Sequence, residues 1–111
     1  MPDTFHARIA RAVDLPVIEL EGRIDGGAAA ALLDAWAQAA DGSPRVVLDF
    51  AGTEYINSTG LAVIVELLAK ARAQGCDVHA VGLSDHYRDI FEITRLSDFV
   101  TLHADRAAAL A

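Results

Sequence analysis

Hydrophobic and polar residues interleave from Phe5 to Ala12, with Phe5, Ala7 and Ile9 set between His6, Arg8, Ala10 and Arg11. That spacing predicts a half-buried strand ending near Asp14-Leu15-Pro16. Val17-Ile18-Glu19-Leu20-Glu21 predicts a second strand, antiparallel to the first because the connection is short, and broken by Gly22 and Gly26-Gly27. Leu32, Leu33 and Trp36, with Ala29 and Ala40, then share one face of a helix over about 28–40, which Asp41-Gly42-Ser43-Pro44 ends. Arg45-Val46-Val47-Leu48-Asp49 is a continuous apolar run of the kind found in strands covered on both faces. A loop is expected from Phe50 to Asn57. Next comes the strongest helix, where Leu61, Ile64, Val65 and Leu68 hold the i, i+3, i+4, i+7 spacing, Glu66 and Lys70 form an exposed pair, and Gly75 is the stop. Val78 to Val81 predicts a strand, and Ser84 a cap for a helix that turns Tyr87, Ile90 and Phe91 inward. Phe99 to His103 predicts a last strand and Asp105 to Leu110 a short helix. Two strands followed by alternating helices and strands predict an α/β layer with a mixed central sheet of about five strands and about four helices.

Length and composition narrow the picture further. With 111 residues and 53% hydrophobic content, the chain is expected to form one domain over 1–111 with a sizeable core. Nine basic residues against sixteen acidic ones give a net charge of −7. The eight arginines are scattered from Arg8 to Arg106 and Lys70 is the only lysine, so there is no basic patch for nucleic acid or anionic lipid. The single cysteine, Cys76, suits a reducing cytosol. Met1-Pro2-Asp3-Thr4 lacks the order of a signal peptide, and Gly60 to Leu68 contains Glu66 and is too short to span a bilayer. A soluble, cytoplasmic protein without membrane insertion is expected.

Most catalytic and cofactor patterns are missing. Lys70 lies mid-helix with no Gly-rich turn before it, which argues against a phosphate-binding loop. His6, His79, His86 and His103 share no short metal-ligand spacing, and no G-x-S-x-G elbow occurs. Asp49 closes a buried strand, as the acceptor of a phosphorelay receiver does, but the accompanying acidic pair and late lysine are absent, so it reads as structural. No enzyme activity, metal or cofactor is expected. The remaining candidate is Tyr55-Ile56-Asn57-Ser58-Thr59-Gly60-Leu61, a polar turn that feeds the strongest helix. Two readings stay open from the residues alone. Asn57 or Ser58 caps the helix while Gly60 permits close packing, or the Ser58 hydroxyl stands where a helix N-terminus favours a phosphate.

This segment resembles the signature Asp-Ser-Ser/Thr-Gly-Leu of the STAS family, the sulfate transporter and anti-sigma factor antagonist domain. Leu20-Glu21-Gly22-Arg23-Ile24-Asp25 is similar to the family's Gly-x-Leu-Asp turn, Val46 to Phe50 to its buried strand, and Phe91-Glu92-Ile93-Thr94-Arg95-Leu96 to its Phe-x-x-x-Gly-Leu segment. Two positions depart from the pattern: Asn57 stands where antagonists usually have Asp, and Arg95 where Gly is common. The resemblance implies the STAS fold and, within the family, a stand-alone anti-sigma factor antagonist. It implies phosphorylation of Ser58 by a partner kinase that is also the anti-sigma factor, and its reversal by a metal-dependent serine/threonine phosphatase. The expected partner surface comprises Arg23, Asp25, Gly26, Asn57, Ser58, Thr59, Gly60 and Val63, the last placed by the helical wheel on the exposed side with Glu66 and Lys70. A monomer or weak dimer is expected. Two alternatives are a STAS subunit of a membrane lipid or anion transport complex and a small-ligand or nucleotide-sensing module.

Overall fold

The computed structural model describes residues 5–12 and 15–110. The residues Met1 to Thr4 and the turn expected at Asp14 lie outside them. Five strands form one sheet in the order β1-β2-β3-β4-β5. They are β1 (His6–Ala12), β2 (Leu15–Ile24), β3 (Arg45–Ile56), β4 (Asp77–Val81) and β5 (Thr101–Leu102). Strand β1 runs antiparallel to β2 in the register Ile9↔Ile18, and the other three pairings are parallel. The helices are α1 (Ala29–Ala40), α2 (Ser58–Gln74), α3 (Asp85–Ile93) and α4 (Arg106–Leu110).

Each of α1, α2 and α3 connects two neighbouring parallel strands. Right-handed crossovers between strands taken in sequential order put all three helices on the same side of the sheet. Along β3, Val46, Leu48 and Phe50 face those helices within one large cluster with Ile18, Leu20, Leu32, Trp36, Ile64, Leu67 and Phe91. Val47 belongs to a much smaller cluster on the other face, with Val17, Val81 and Ala109 of α4. These are called the front and back faces below.

Several boundaries differ from expectation for identifiable reasons. Gly22 does not end β2. With φ 95 it sits in a bulge, where the register against β3 shifts between Gly22 and Arg23, and the strand continues to Ile24. The expected loop from Phe50 to Asn57 is strand up to Ile56, because the lengthened β2 supplies a partner along this stretch. The last strand shrinks to Thr101–Leu102, since a 3-10 turn at Leu96–Asp98 leads into Phe99.

The largest correction concerns α2. Gly60, Val63, Ile64, Leu67, Leu68 and Ala71 are its buried residues, so Val63 is a core residue at 7% exposure and Val65 is the exposed one at 47%. The wheel drawn through Leu61 and Val65 is rotated by one residue. Including the small residues Gly60 and Ala71 in the apolar stripe restores the phase. Two expected caps are present: Gly75, at φ 69, ends α2, and the Ser84 hydroxyl accepts from the Tyr87 amide at the start of α3.

Candidate functional site

Strands β2 and β3 end side by side, with Arg23 opposite Tyr55 and Ile24 opposite Ile56. The Asn57 amide then donates to the Ile24 carbonyl at 3.2 Å, closing the turn before α2. Asn57 itself is extended, and its side-chain oxygen accepts from the Gly60 amide and from the Thr59 hydroxyl, both at 2.8 Å. Of the two capping candidates, Asn57 is therefore the cap. An amide oxygen does this as a carboxylate would, without adding a charge. Leu61 makes the first helical hydrogen bond, to the Asn57 carbonyl at 2.9 Å.

Gly60 is fixed by contact. A Cβ there would overlap the carbonyl of Ile24, so only glycine lets the first turn of α2 lie against the end of β2. The same approach brings Gly26 to Thr59, where a Cβ on Gly26 would stand 3.6 Å from the threonine hydroxyl oxygen. Asp25 is engaged in its own turn, accepting from the Gly27 amide at 2.9 Å and capping the 3-10 turn Gly26–Ala28. The Arg23 guanidinium lies 4.8 Å from the centre of the exposed Tyr55 ring.

The structure thus gathers Arg23, Asp25, Gly26, Asn57, Ser58, Thr59 and Gly60 on one edge of the molecule, where β2 and β3 end and α2 begins. Gly60 and Val63, both buried, are not among the exposed residues there: Gly60 lies against the end of β2 and Val63 faces the core. Ser58 and Thr59 are both exposed. Among the described residues, the Ser58 hydroxyl has no hydrogen-bond partner, and the Ser58 and Thr59 amides find no acceptor. These donors are part of the unsatisfied set that opens every helix. No cluster of three or more metal-capable side chains occurs among the described residues. The thiol of Cys76 is buried, and burial followed by the nearby Asp77 charge raises its pKa, which makes it a poor nucleophile.

One supporting residue escaped the sequence reading. The Tyr87 hydroxyl accepts from the Ile56 amide at 2.9 Å, so α3 pins the end of β3 one residue before the cap. The signal was available: Tyr87 was expected to face inward, and a part-buried tyrosine hydroxyl needs a partner.

A family model described as the MlaB STAS domain matches residues 7–102. The Bordetella bronchiseptica protein BtrV, named as a candidate anti-sigma factor antagonist, is 37% identical over 76 residues. That match covers 68% of this chain and 66% of BtrV, so the chain spans just under two thirds of this relative. Among solved structures, an anti-sigma factor antagonist from Mycobacterium paratuberculosis superposes with a TM-score of 0.82 at 23% identity, over 99% of this chain and 94% of that one. The Bacillus cell-fate determinant SpoIIAA in its phosphorylated form gives a TM-score of 0.65 at 16% identity, over 96% of each chain. At those identities the two structures speak to the fold alone.

Proposed function

The chain belongs to the STAS domain family, and on that premise we propose that it is a cytoplasmic anti-sigma factor antagonist that switches partners and catalyses nothing. Unphosphorylated, it binds an anti-sigma factor serine kinase through Ser58, Thr59 and the neighbouring Arg23–Gly26 turn, releasing a sigma factor or another target. Phosphate on Ser58 ends that binding, and a metal-dependent serine/threonine phosphatase restores it. The observation that carries the reading is the Ser58 hydroxyl: exposed on the first turn of α2, and left without a capping duty because Asn57 performs it. The name of BtrV lends it support.

The physics of the switch follows from where Ser58 stands. A phosphate adds about −1.5 to −2 charges at neutral pH. A helix N-terminus offsets an anion by about 0.3–1 kcal/mol, and the open Ser58 and Thr59 amides are suitable donors, so the free domain tolerates the group. In the complex the phosphate must be desolvated against a surface shaped for a neutral hydroxyl, and each ~1.4 kcal/mol of that penalty weakens binding tenfold.

Incubation with a cognate kinase and ATP, followed by mass spectrometry, should place phosphate on Ser58 and leave Thr59 and Ser84 unmodified. Calorimetry should find that Ser58→Ala retains the kinase while Ser58→Asp loses it, with thermal midpoints close to the parent protein. Equal affinities for the two variants would refute the switch. Co-purification with a transport ATPase in place of a kinase would favour the transport-subunit reading.

A further inference from the structure

On the back face the segment 103–110 is held by few contacts, and one of them can titrate. His79 lies on β4 in the row that runs through Val17 and Val47. His103 follows β5, and its amide donates to the Ala80 carbonyl at 2.9 Å. The two imidazoles stack at 5.0 Å between centroids and 19° between planes, with His79 Nδ1 2.7 Å from His103 Nε2. At that distance one nitrogen must donate and the other accept. A single proton between them suffices. When both rings are cationic, both facing nitrogens carry protons and no acceptor remains.

The surroundings favour the neutral pair. Arg45 on β3 repels a charged His79, and Asp77 on β4 attracts it. Arg72 of α2 and Asp98 of the 3-10 turn share with His79 a cleft of about 370 Å³, and offer one charge of each sign. Burial first, and then Arg45 and His103, push the His79 pKa below the ordinary histidine value.

Arg45 also tethers α4, donating from Nη1 to the Ala109 carbonyl at 2.9 Å, at the end of the helix. At its start, Arg106 bridges Glu19 on β2, at 3.0 Å, and Asp49 on β3. Beneath the helix, Ala109 packs on Val17, Val47 and Val81, with Ala12 and Leu110 at the margin. This patch is small, and it is the whole buried apolar cluster of the back face among the described residues.

We propose that residues 103–110 form a pH-responsive latch: loss of the acceptor between His79 and His103 on acidification loosens the segment over Val17, Val47 and Val81, with Arg106 still held by Glu19 and Asp49, while the front core stays folded. The inference stands apart from the Ser58 switch, which lies on a different edge of the molecule.

The test follows the valine methyl signals of the full chain by NMR from about pH 8 to about pH 5, alongside the His79 ring, with Trp36 fluorescence reporting the front core. The methyls of Val17, Val47 and Val81 are expected to shift together with the His79 ring while Trp36 is unchanged. In His103→Gln the side-chain amide still offers a donor and an acceptor to His79 but does not titrate, so the methyl signals should stay flat. His79→Gln should do the same, and serves should the first variant misfold by the Trp36 criterion. Flat methyls in the wild type as the ring titrates would overturn the latch. So would methyl shifts that persist in both variants, or a Trp36 change in step with the methyls, which would mean global unfolding.

Discussion

The two faces of the sheet are built from the same strands and are held by different forces. On the front, Ile18, Leu20, Leu48 and Phe50 are buried under Leu32, Trp36, Leu67 and Phe91 from three helices. On the back, one residue away along each strand, Val17, Val47 and Val81 meet α4 with Ala12 of β1 at the margin, and beside them Arg8, Glu19 and Asp49 form a charged row that Arg106 of α4 bridges. Fully burying a large apolar side chain contributes about 1.5–3 kcal/mol, whereas an exposed ion pair contributes about 0–1 kcal/mol. The front therefore sets global stability, and the back can rearrange locally without unfolding the chain. Ser58 stands at the edge the two faces share, on a helix anchored wholly in the front.

The sharpest test of this contrast is Phe91→Ala. Phe91 is 1% exposed and packs edge-on against Phe50, with ring centroids 6.0 Å apart. Truncation should cost about 3–5 kcal/mol. Urea titration followed by Trp36 fluorescence measures it. A loss below about 1 kcal/mol would mean that α3 is not part of the cooperative core.

Gly60→Ala comes next. The added methyl meets the Ile24 backbone, which cannot move aside as a flexible side chain can. The start of α2 must lift off β2, at a cost of about 1–3 kcal/mol. Because the shift displaces Ser58, binding of the proposed kinase should fall, in contrast to Ser58→Ala, which should retain it. Unchanged stability would show that the contact between helix and strand is loose.

How much of this was legible in the sequence depended on how local each feature is. The alternation of strands and helices and the caps at Ser84 and Gly75 are encoded within a few residues, and so is the Asn57–Gly60 turn, although the sequence leaves its cap open between Asn57 and Ser58. Val63 and Val65 were exchanged because both are valines on one helix. The inward direction is fixed by Gly60 against Ile24, a contact between elements that a wheel of large apolar residues ignores. Thr53-Glu54-Tyr55 looked like loop because that end of β3 is exposed and polar, although it is paired with β2. The back face was the least legible part. Arg106 reaches Glu19 across 87 residues and Asp49 across 57, and His79 meets His103 across 24, so no short spacing betrays either group.

Arg95 supplies a third test, on the front-face side. It is the one non-glycine residue with positive φ among those described, at φ 67, and it stands where the family resemblance made glycine the common residue. The left-handed conformation costs a side chain about 1–2 kcal/mol, partly offset here by an exposed ion pair with Asp98 at 3.1 Å. Arg95→Gly should raise stability by about 0.5–1 kcal/mol, read as a higher urea midpoint at unchanged slope. A lower midpoint would show that the pair with Asp98 outweighs the strain.

The smallest expected effect belongs to the back face, and its signature is a dependence on pH and salt. Hydrogen bonds from Arg106 first, and then Arg8, hold the Glu19 carboxyl below the usual carboxylate range. A group whose pKa is lowered by folding contributes stability above its unfolded value, about 4.3 for Glu, and loses it as pH falls through the folded value. His79 is also lowered, so its contribution is present above about 6.5 and is lost on acidification below that. Stability should accordingly decline in two steps, the first below about pH 6.5 and the second below about pH 4.3. Glu19 and Arg106 retain 25% and 36% side-chain exposure, so solvent screening keeps the ion-pair part under about 1 kcal/mol. Arg106→Gln should lower the urea midpoint slightly near neutral pH, by less as salt rises, and flatten the lower step while leaving the upper one. Should the lower step survive intact, Arg8 is the residue that holds Glu19, and α4 is tethered at its start through Asp49 alone.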